Sequence, residues 1–222
     1  MKVIVFGATG MVGQGVLLEC LADPGVGSIL VVGRTASGTQ HPKVTEVVHP
    51  NLMDYSPIVD ALRGYDACFF CLGVSSSGMT EEQYYRVTYD LTMAAAGVLA
   101  AVNPSMTFCY VSGAGTDSTE QGRTMWARVK GKTENALLRL PFKAAFMFRP
   151  GYIQPLKGVK SKTVLYRVLY SVVGPLYPLW KLLFPNEVTT TENVGKAMLR
   201  IAERGFPRPY LENRDINALC HP

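Results

Sequence analysis

Short, nearly continuous apolar runs occupy residues 3–6, 29–32, 44–48, 67–72, 106–111 and 144–148. Runs of this length without polar alternation are how strands read when helices cover both faces of a parallel sheet. Between them lie helix-patterned stretches at 11–22, 57–63, 81–102 and about 124–140. Strand and helix in alternation predict an α/β fold, a Rossmann-type doubly wound parallel sheet of six or seven strands with helices on both faces. Thr80-Glu81-Glu82-Gln83 is a capping box that starts one helix, and Asn103-Pro104 ends it. Thr189 with Glu192 opens another, with Val194, Ala197, Met198 and Ile201 on one side and Gly205 after its last turn. After Gly151 the pattern changes. Lys157, Lys160 and Lys162 precede a helical stretch from Val164, and a Pro- and aromatic-rich run at 175–185 follows. This region reads as a small helical C-terminal lobe capping the C-terminal edge of the sheet. The expected organisation is one domain over 1–222, with a dinucleotide-binding core at 1–152 and a substrate lobe at 153–222.

The most informative segment is Val3-Ile-Val-Phe-Gly7-Ala-Thr-Gly10-Met-Val-Gly13, a strand running through a glycine turn into a helix. Gly7 permits the tight turn, Gly10 lets backbone approach a pyrophosphate, and Gly13 lets the helix pack on the strand. The helix N-terminus then offers unpaired N–H groups and a positive dipole end to phosphates. The spacing G-x-x-G-x-x-G differs from G-x-G-x-x-G, so the flanking strand and helix carry the assignment. Gly7, Thr9, Gly10, Met11, Val12 and Gly13 are the expected pyrophosphate contacts. At the end of the second strand, Val31-Val-Gly-Arg34-Thr35 has no carboxylate to accept from a ribose 2′-OH. An Arg there suits a 2′-phosphate through charge-assisted bonds. The expected cofactor is therefore NADP(H), selected by Arg34 and Thr35, with NAD(H) as the alternative. Asn51 or Leu52 would meet the adenine edge, and Cys71, Leu72 and Gly73 would border the adenine ribose and phosphates.

With these motifs in view, the sequence resembles the short-chain dehydrogenase/reductase superfamily, in its atypical branch of NmrA-like and epimerase-like NAD(P)-binding proteins. The resemblance rests on Gly7-Ala-Thr-Gly10-Met-Val-Gly13, Cys71-Leu-Gly73, Tyr110-Val-Ser112 and Arg149-Pro150-Gly151, and covers about residues 1–152. It implies a catalytic Ser at Ser112, a lysine at Lys130 holding the nicotinamide ribose, and Pro150 and Gly151 beside the nicotinamide ring. In the family a Tyr lies four residues before that Lys and exchanges a proton with substrate. Here the segment reads Trp126-Ala-Arg-Val-Lys130, and an indole N–H donates but does not titrate usefully. Ser112, Trp126 and Lys130 are the expected catalytic residues, with Tyr84, Tyr85, Tyr110, Tyr152 or water as other proton sources. Two readings stand: an NADP(H)-dependent oxidoreductase on a small apolar carbonyl, or a non-catalytic NADP(H)-binding sensor or scaffold. An epimerase-type activity is a further alternative.

Composition narrows the class without changing this picture. Apolar residues make up 48% of 222 and charged residues 18%, enough for a large core and incompatible with disorder. Five cysteines, at 20, 68, 71, 109 and 220, form a poor disulfide framework and fit a reducing compartment; Cys68 and Cys71 should face opposite sides of a strand. The opening MKVIVFG is too short for a secretory leader, so a cytoplasmic protein is expected. The net charge of +5 conceals a basic stretch at 123–181, where twelve Lys and Arg face Glu134 alone. A solvated face, an anionic cofactor or substrate, or an acidic membrane surface would each account for it. No zinc spacing or RNA-binding motif suggests a nucleic-acid partner.

Overall fold

In the computed structural model, which describes residues 1–159, 183 and 186–220, the apolar runs form the strands of one sheet. These are β1 (Lys2–Phe6), β2 (Ser28–Gly33), β3 (Val44–Val48), β4 (Ala67–Phe70), β5 (Thr107–Val111) and β6 (Ala144–Arg149). A seventh, β9 (Tyr210–Glu212), joins beyond β6. All pairings are parallel, in the order β3-β2-β1-β4-β5-β6-β9. Sequence reversal between β1 and β4 creates the crevice where such sheets bind ligands, at the carboxyl ends of the strands. Two short strands, β7 (Tyr152–Gln154) and β8 (Val188–Thr190), pair as a separate parallel ribbon. The seven strands of the main sheet fall within the six or seven expected, but no apolar run marked β7, β8 or β9, because three-residue strands carry too few apolar positions to register as a run.

The side-chain period of two divides the sheet residues between two cores. Val3 and Val5 pack with α1 (Met11–Ala22), α5 (Thr191–Arg204) and α6 (Asn213–Ala218) on one face. Ile4 and Phe6 pack on the other face with Leu62, Leu99 and Leu137. Leu62 closes a 3₁₀ turn (Ser56–Leu62), a tighter helix than the stretch 57–63 suggested. Leu99 belongs to α3 (Leu91–Val102) and Leu137 to α4 (Met125–Leu137). Cys68 and Cys71 fall in opposite cores, as the strand period requires, and all five cysteines are free thiols.

The helix expected over 81–102 begins at the capping box: Gln83 N donates to Thr80 Oγ1 at 3.3 Å and Thr80 N to Gln83 Oε1 at 3.0 Å. It runs as α2 (Glu81–Tyr85), a π-helical turn (Arg86–Asp90) and α3. Its C-cap, Asn103, fastens the chain before β4, accepting from Gly64 N at 2.7 Å and donating to Leu62 O at 2.8 Å. The N-cap of α5 is Thr190 rather than Thr189: Asn193 N donates to Thr190 Oγ1 at 2.9 Å, while the Thr189 hydroxyl bonds Asn217 Oδ1 at 2.8 Å. Gly205 closes α5 at φ 71°. The described C-terminal residues are integrated with the body: α5 lies against α1, where a Cβ on Gly15 would sit 2.5 Å from Thr191 Cβ. The helical and aromatic stretch expected over 164–184, apart from Leu183, lies outside the described residues.

Candidate dinucleotide and substrate site

Phe6 ends β1 and Gly7 turns the chain at φ +78°. A side chain at Gly7 would meet Cys71 C and O at 2.7 Å, and one at Gly13 would lie 2.1 Å from Gly7 O. The glycines therefore seat α1 against the turn, and the turn against the end of β4. Gly10 is more open, its would-be Cβ touching Gly7 O at 3.3 Å. Gly10 N donates to Gly7 O at 2.8 Å, and the first helical bond runs from Gln14 N to Gly10 O. Gly10 is the N-cap, with no side chain capping α1 and no acidic residue in the first turn. That leaves the N–H groups about Met11, Val12 and Gly13 for an anion. Thr9 lies in the same turn and is half-buried.

Along the same edge, β2 delivers Arg34 and Thr35 to the surface. Among the described residues Arg34 has no carboxylate within ion-pairing distance. The loop after it is pinned elsewhere: Ser37 donates through its hydroxyl to Glu46 Oε1, and through its N–H at 3.1 Å. Asn51 is exposed and turns its own loop, with Met53 N donating to Asn51 Oδ1 at 3.2 Å. Leu52 is instead buried with Phe6, Leu30 and Val32 beneath that edge. Cys71 and Leu72 are half-buried beside Gly7, and Gly73 is exposed; burial pushes the Cys71 thiol up to about 12.

On the other side of the crevice, Ser112 follows the last residue of β5 and α4 presents Trp126, Lys130 and Glu134, one turn apart on one face. Lys130 Nζ donates to the Ser112 carbonyl. Desolvation pulls its ammonium down to about 8, and Glu134 opposes that shift. Ser112 is buried, and its hydroxyl lies 2.5 Å from Glu134 Oε1 and 3.1 Å from Phe148 O. Having one proton, it gives it to Glu134, the stronger acceptor. Glu134 is fully buried and pairs with Arg149 through both carboxylate oxygens, with Arg149 Nε 3.0 Å from Oε1. Sequence reasoning missed Glu134 as a site residue; its signal was the four-residue repeat Trp126, Lys130, Glu134.

Trp126 is half-buried against the loop after Ser112, its Cη2 3.6 Å from where a Cβ on Gly115 would stand. The other proton sources fare unequally. Tyr110 is sealed in the core, where burial raises its phenol far above the usual range. Tyr84 is buried. Tyr85 stacks on Tyr89 at 4.6 Å beneath Lys132, and Tyr152 donates to Gln154 at 2.8 Å. The Asp117 carboxylate accepts from Thr119 and from Gly122 N at 2.6 Å, which holds it below the usual range and ties it to its own loop.

Pro150 is buried, its carbonyl accepting from Ala114 N at 2.9 Å. Gly151 is exposed, its N–H donating to Asn213 Oδ1 at 3.2 Å. Beside this turn opens a cleft of about 310 Å³ lined by Ala114, Arg149, Asn186, Glu187, Arg208 and residues 212–215. Except for Ala114 the lining is charged or amide. An apolar substrate pocket is thus not what the described residues form here, because β9 and α6 bring a polar run, Glu212-Asn-Arg-Asp215, to the edge.

The parallel sheet, its glycine turn and the helices on both faces form a Rossmann-type fold, which solved short-chain dehydrogenase/reductases share. The structure superposes on WbmF from Bordetella bronchiseptica, crystallised with NAD+ and UDP, with a TM-score of 0.67 at 17% identity, over 96% of this chain and 71% of that one. On YIR035C, a short-chain dehydrogenase/reductase from Saccharomyces cerevisiae, the TM-score is 0.66 at 15% identity, over 99% of this chain and 98% of that one. No family model matches the chain. In sequence it is 26% identical over 220 residues to the protein fmp52-2, mitochondrial, of Aspergillus oryzae, covering 96% of this chain and 93% of that protein. It is 28% identical over 157 residues to the protein HTATIP2 of Rattus norvegicus, covering 68% of this chain and 62% of that protein. The cytoplasmic placement expected from the sequence is overturned by these relatives, since several fungal ones are named as mitochondrial. Among the described residues, no helix is long and apolar enough to cross a membrane.

Proposed function

We propose that this protein binds NADP(H) across the C-terminal edge of its sheet and is an oxidoreductase acting on a small carbonyl or hydroxyl compound. The observation that carries the reading is the uncapped N-terminus of α1 behind a glycine turn that admits no side chain at Gly7 or Gly13. The pyrophosphate would lie on residues 9–13, and the 2′-phosphate on Arg34 and Thr35. Solved structures with this fold hold NAD+ or NADH, which supports a nicotinamide dinucleotide; the preference for the phosphorylated form rests on Arg34. The nicotinamide, when bound, supplies or accepts the hydride. Lys130 would hold its ribose with the ammonium hydrogens not given to Ser112, and Trp126 would orient a substrate oxygen as a donor. Lys130, its ammonium brought down to about 8 by desolvation, would be the group there to exchange a proton. We place the protein in mitochondria, on the names of its fungal relatives.

One observation favours the second reading, a sensor that binds NADP(H) without turnover. Ser112 gives its only hydroxyl proton to Glu134, and on the resemblance to the short-chain dehydrogenases Trp126 would stand where their Tyr does. Titration of NADPH and NADH, followed by Trp fluorescence, tests the cofactor. NADPH should bind at least tenfold more tightly than NADH, about 1.4 kcal/mol, and Arg34→Ala should erase the difference; a preference for NADH removes Arg34 as selector. A carbonyl screen with the natural chain and Trp126→Tyr then separates the two readings. Turnover by the natural chain supports the oxidoreductase. Binding without turnover in either form supports the sensor.

A further inference from the structure

The cleft beside Gly151 has a definite charge arrangement. Arg149 is committed to buried Glu134 and lies 3.6 Å from Glu212, with its guanidinium 4.4 Å over the Tyr210 ring. Arg208 is committed to Asp215, whose other oxygen accepts from Glu212 N at 3.0 Å. Among the described residues this leaves one cation and one carboxylate of the lining without an ion-pair partner: Arg214 and Glu187, both exposed. Asn186, also exposed, adds an amide that can donate or accept. The backbone that carries Glu187 and Arg214 is held by contacts with Gly151. A Cβ on Gly151 would strike Glu187 O at 2.7 Å, and Gly151 N is held by Asn213, the neighbour of Arg214. The same cleft reaches Ala114, two residues beyond Ser112, so it opens onto the edge where the nicotinamide would lie.

A guanidinium with no internal partner matches a carboxylate bidentately, and an adjacent carboxylate and amide match a hydroxyl. A volume of about 310 Å³ is at the small end for ligand pockets. We infer that this cleft is the substrate subsite and takes a small hydroxycarboxylate, its carboxylate on Arg214 and its hydroxyl on Glu187 and Asn186. The choice of hydroxyl over ammonium rests on the oxidoreductase reading above.

The test is calorimetric titration of the full chain, with and without NADPH, using 2-hydroxybutanoate, its methyl ester, butan-2-ol and 2-aminobutanoate. The hydroxy acid should bind, with the ester and the alcohol at least tenfold weaker. Arg214→Gln should weaken the acid tenfold or more, and Glu187→Gln should weaken it severalfold. Both residues are on the surface, so thermal melts of the variants should match the natural chain. Equal binding of acid and ester, or an unaffected Arg214→Gln, overturns the carboxylate assignment. Tighter binding of 2-aminobutanoate overturns the hydroxyl. No binding of any probe overturns the subsite. NADPH titrated separately into the same samples keeps failure of the cofactor reading distinct from failure of the cleft.

Discussion

Lys130 and Glu134 set the electrostatics of the face of α4 that meets Ser112, one turn apart on the same helix. Lys130 gives up its proton near pH 8 in the folded chain but only near 10.5 when unfolded. Between those values the unfolded state binds more protons, so this group makes stability rise with pH across that window. Buried thiols work in the opposite sense at higher pH, so the informative quantity is a difference. Urea midpoints measured from pH 7 to 10 should rise more, or fall less, in the natural chain than in Lys130→Met; identical profiles would show that Lys130 is not held in its desolvated state. Glu134→Ala leaves the largely buried Arg149 with the exposed Glu212, 3.6 Å away, as its remaining carboxylate, and removing one partner of a buried pair costs up to about 3–5 kcal/mol. A denaturant midpoint unchanged by that substitution would contradict the pairing. The family resemblance expected Ser112 and Lys130 to lie together, and Lys130 Nζ does reach the Ser112 carbonyl. The Ser112 proton given to Glu134 was not legible in the sequence, since it depends on how β5, α4 and β6 converge rather than on any local pattern.

At the scale of elements, the glycine turn and the close seat of α1 are what the sequence expressed best. Gly7 and Gly13 are required by contacts of 2.7 and 2.1 Å to backbone, whereas Gly10 has room to within 3.3 Å. The substitutions should therefore separate. Gly13→Ala should unseat α1 and lower stability measurably in a thermal melt, while Gly10→Ala should fold normally and weaken dinucleotide binding. Equal effects on folding at both positions would contradict this division. The long buried strands and the capped helices were legible because their signals are local: apolar runs, a capping box, a closing glycine. The π-helical turn within 86–90, the 3₁₀ turn at 56–62 and the short strands β7, β8 and β9 were not. Each is set by tertiary packing over a few residues, where local preference has little leverage.

Across the whole molecule, a parallel seven-stranded sheet places Gly7, Arg34, Cys71, Ser112 and Pro150 on one edge because they follow the carboxyl ends of five of its strands. The Rossmann architecture follows from alternating strand and helix, and the sequence carried that alternation plainly. What it did not carry was the polar cleft, which needs Glu212–Asp215 brought beside Arg149 by β9 at the far edge of the sheet. The central claim is that the first turn of the chain grips a diphosphate while Arg34 grips the adenosine phosphate. A crystal grown with NADP+ decides it most directly. Density for the pyrophosphate against the N-terminus of α1, with the 2′-phosphate within hydrogen-bond reach of the Arg34 guanidinium, is the predicted result. Dinucleotide bound elsewhere, or a crevice closed by the protein's own side chains at saturating NADP+, would contradict the account.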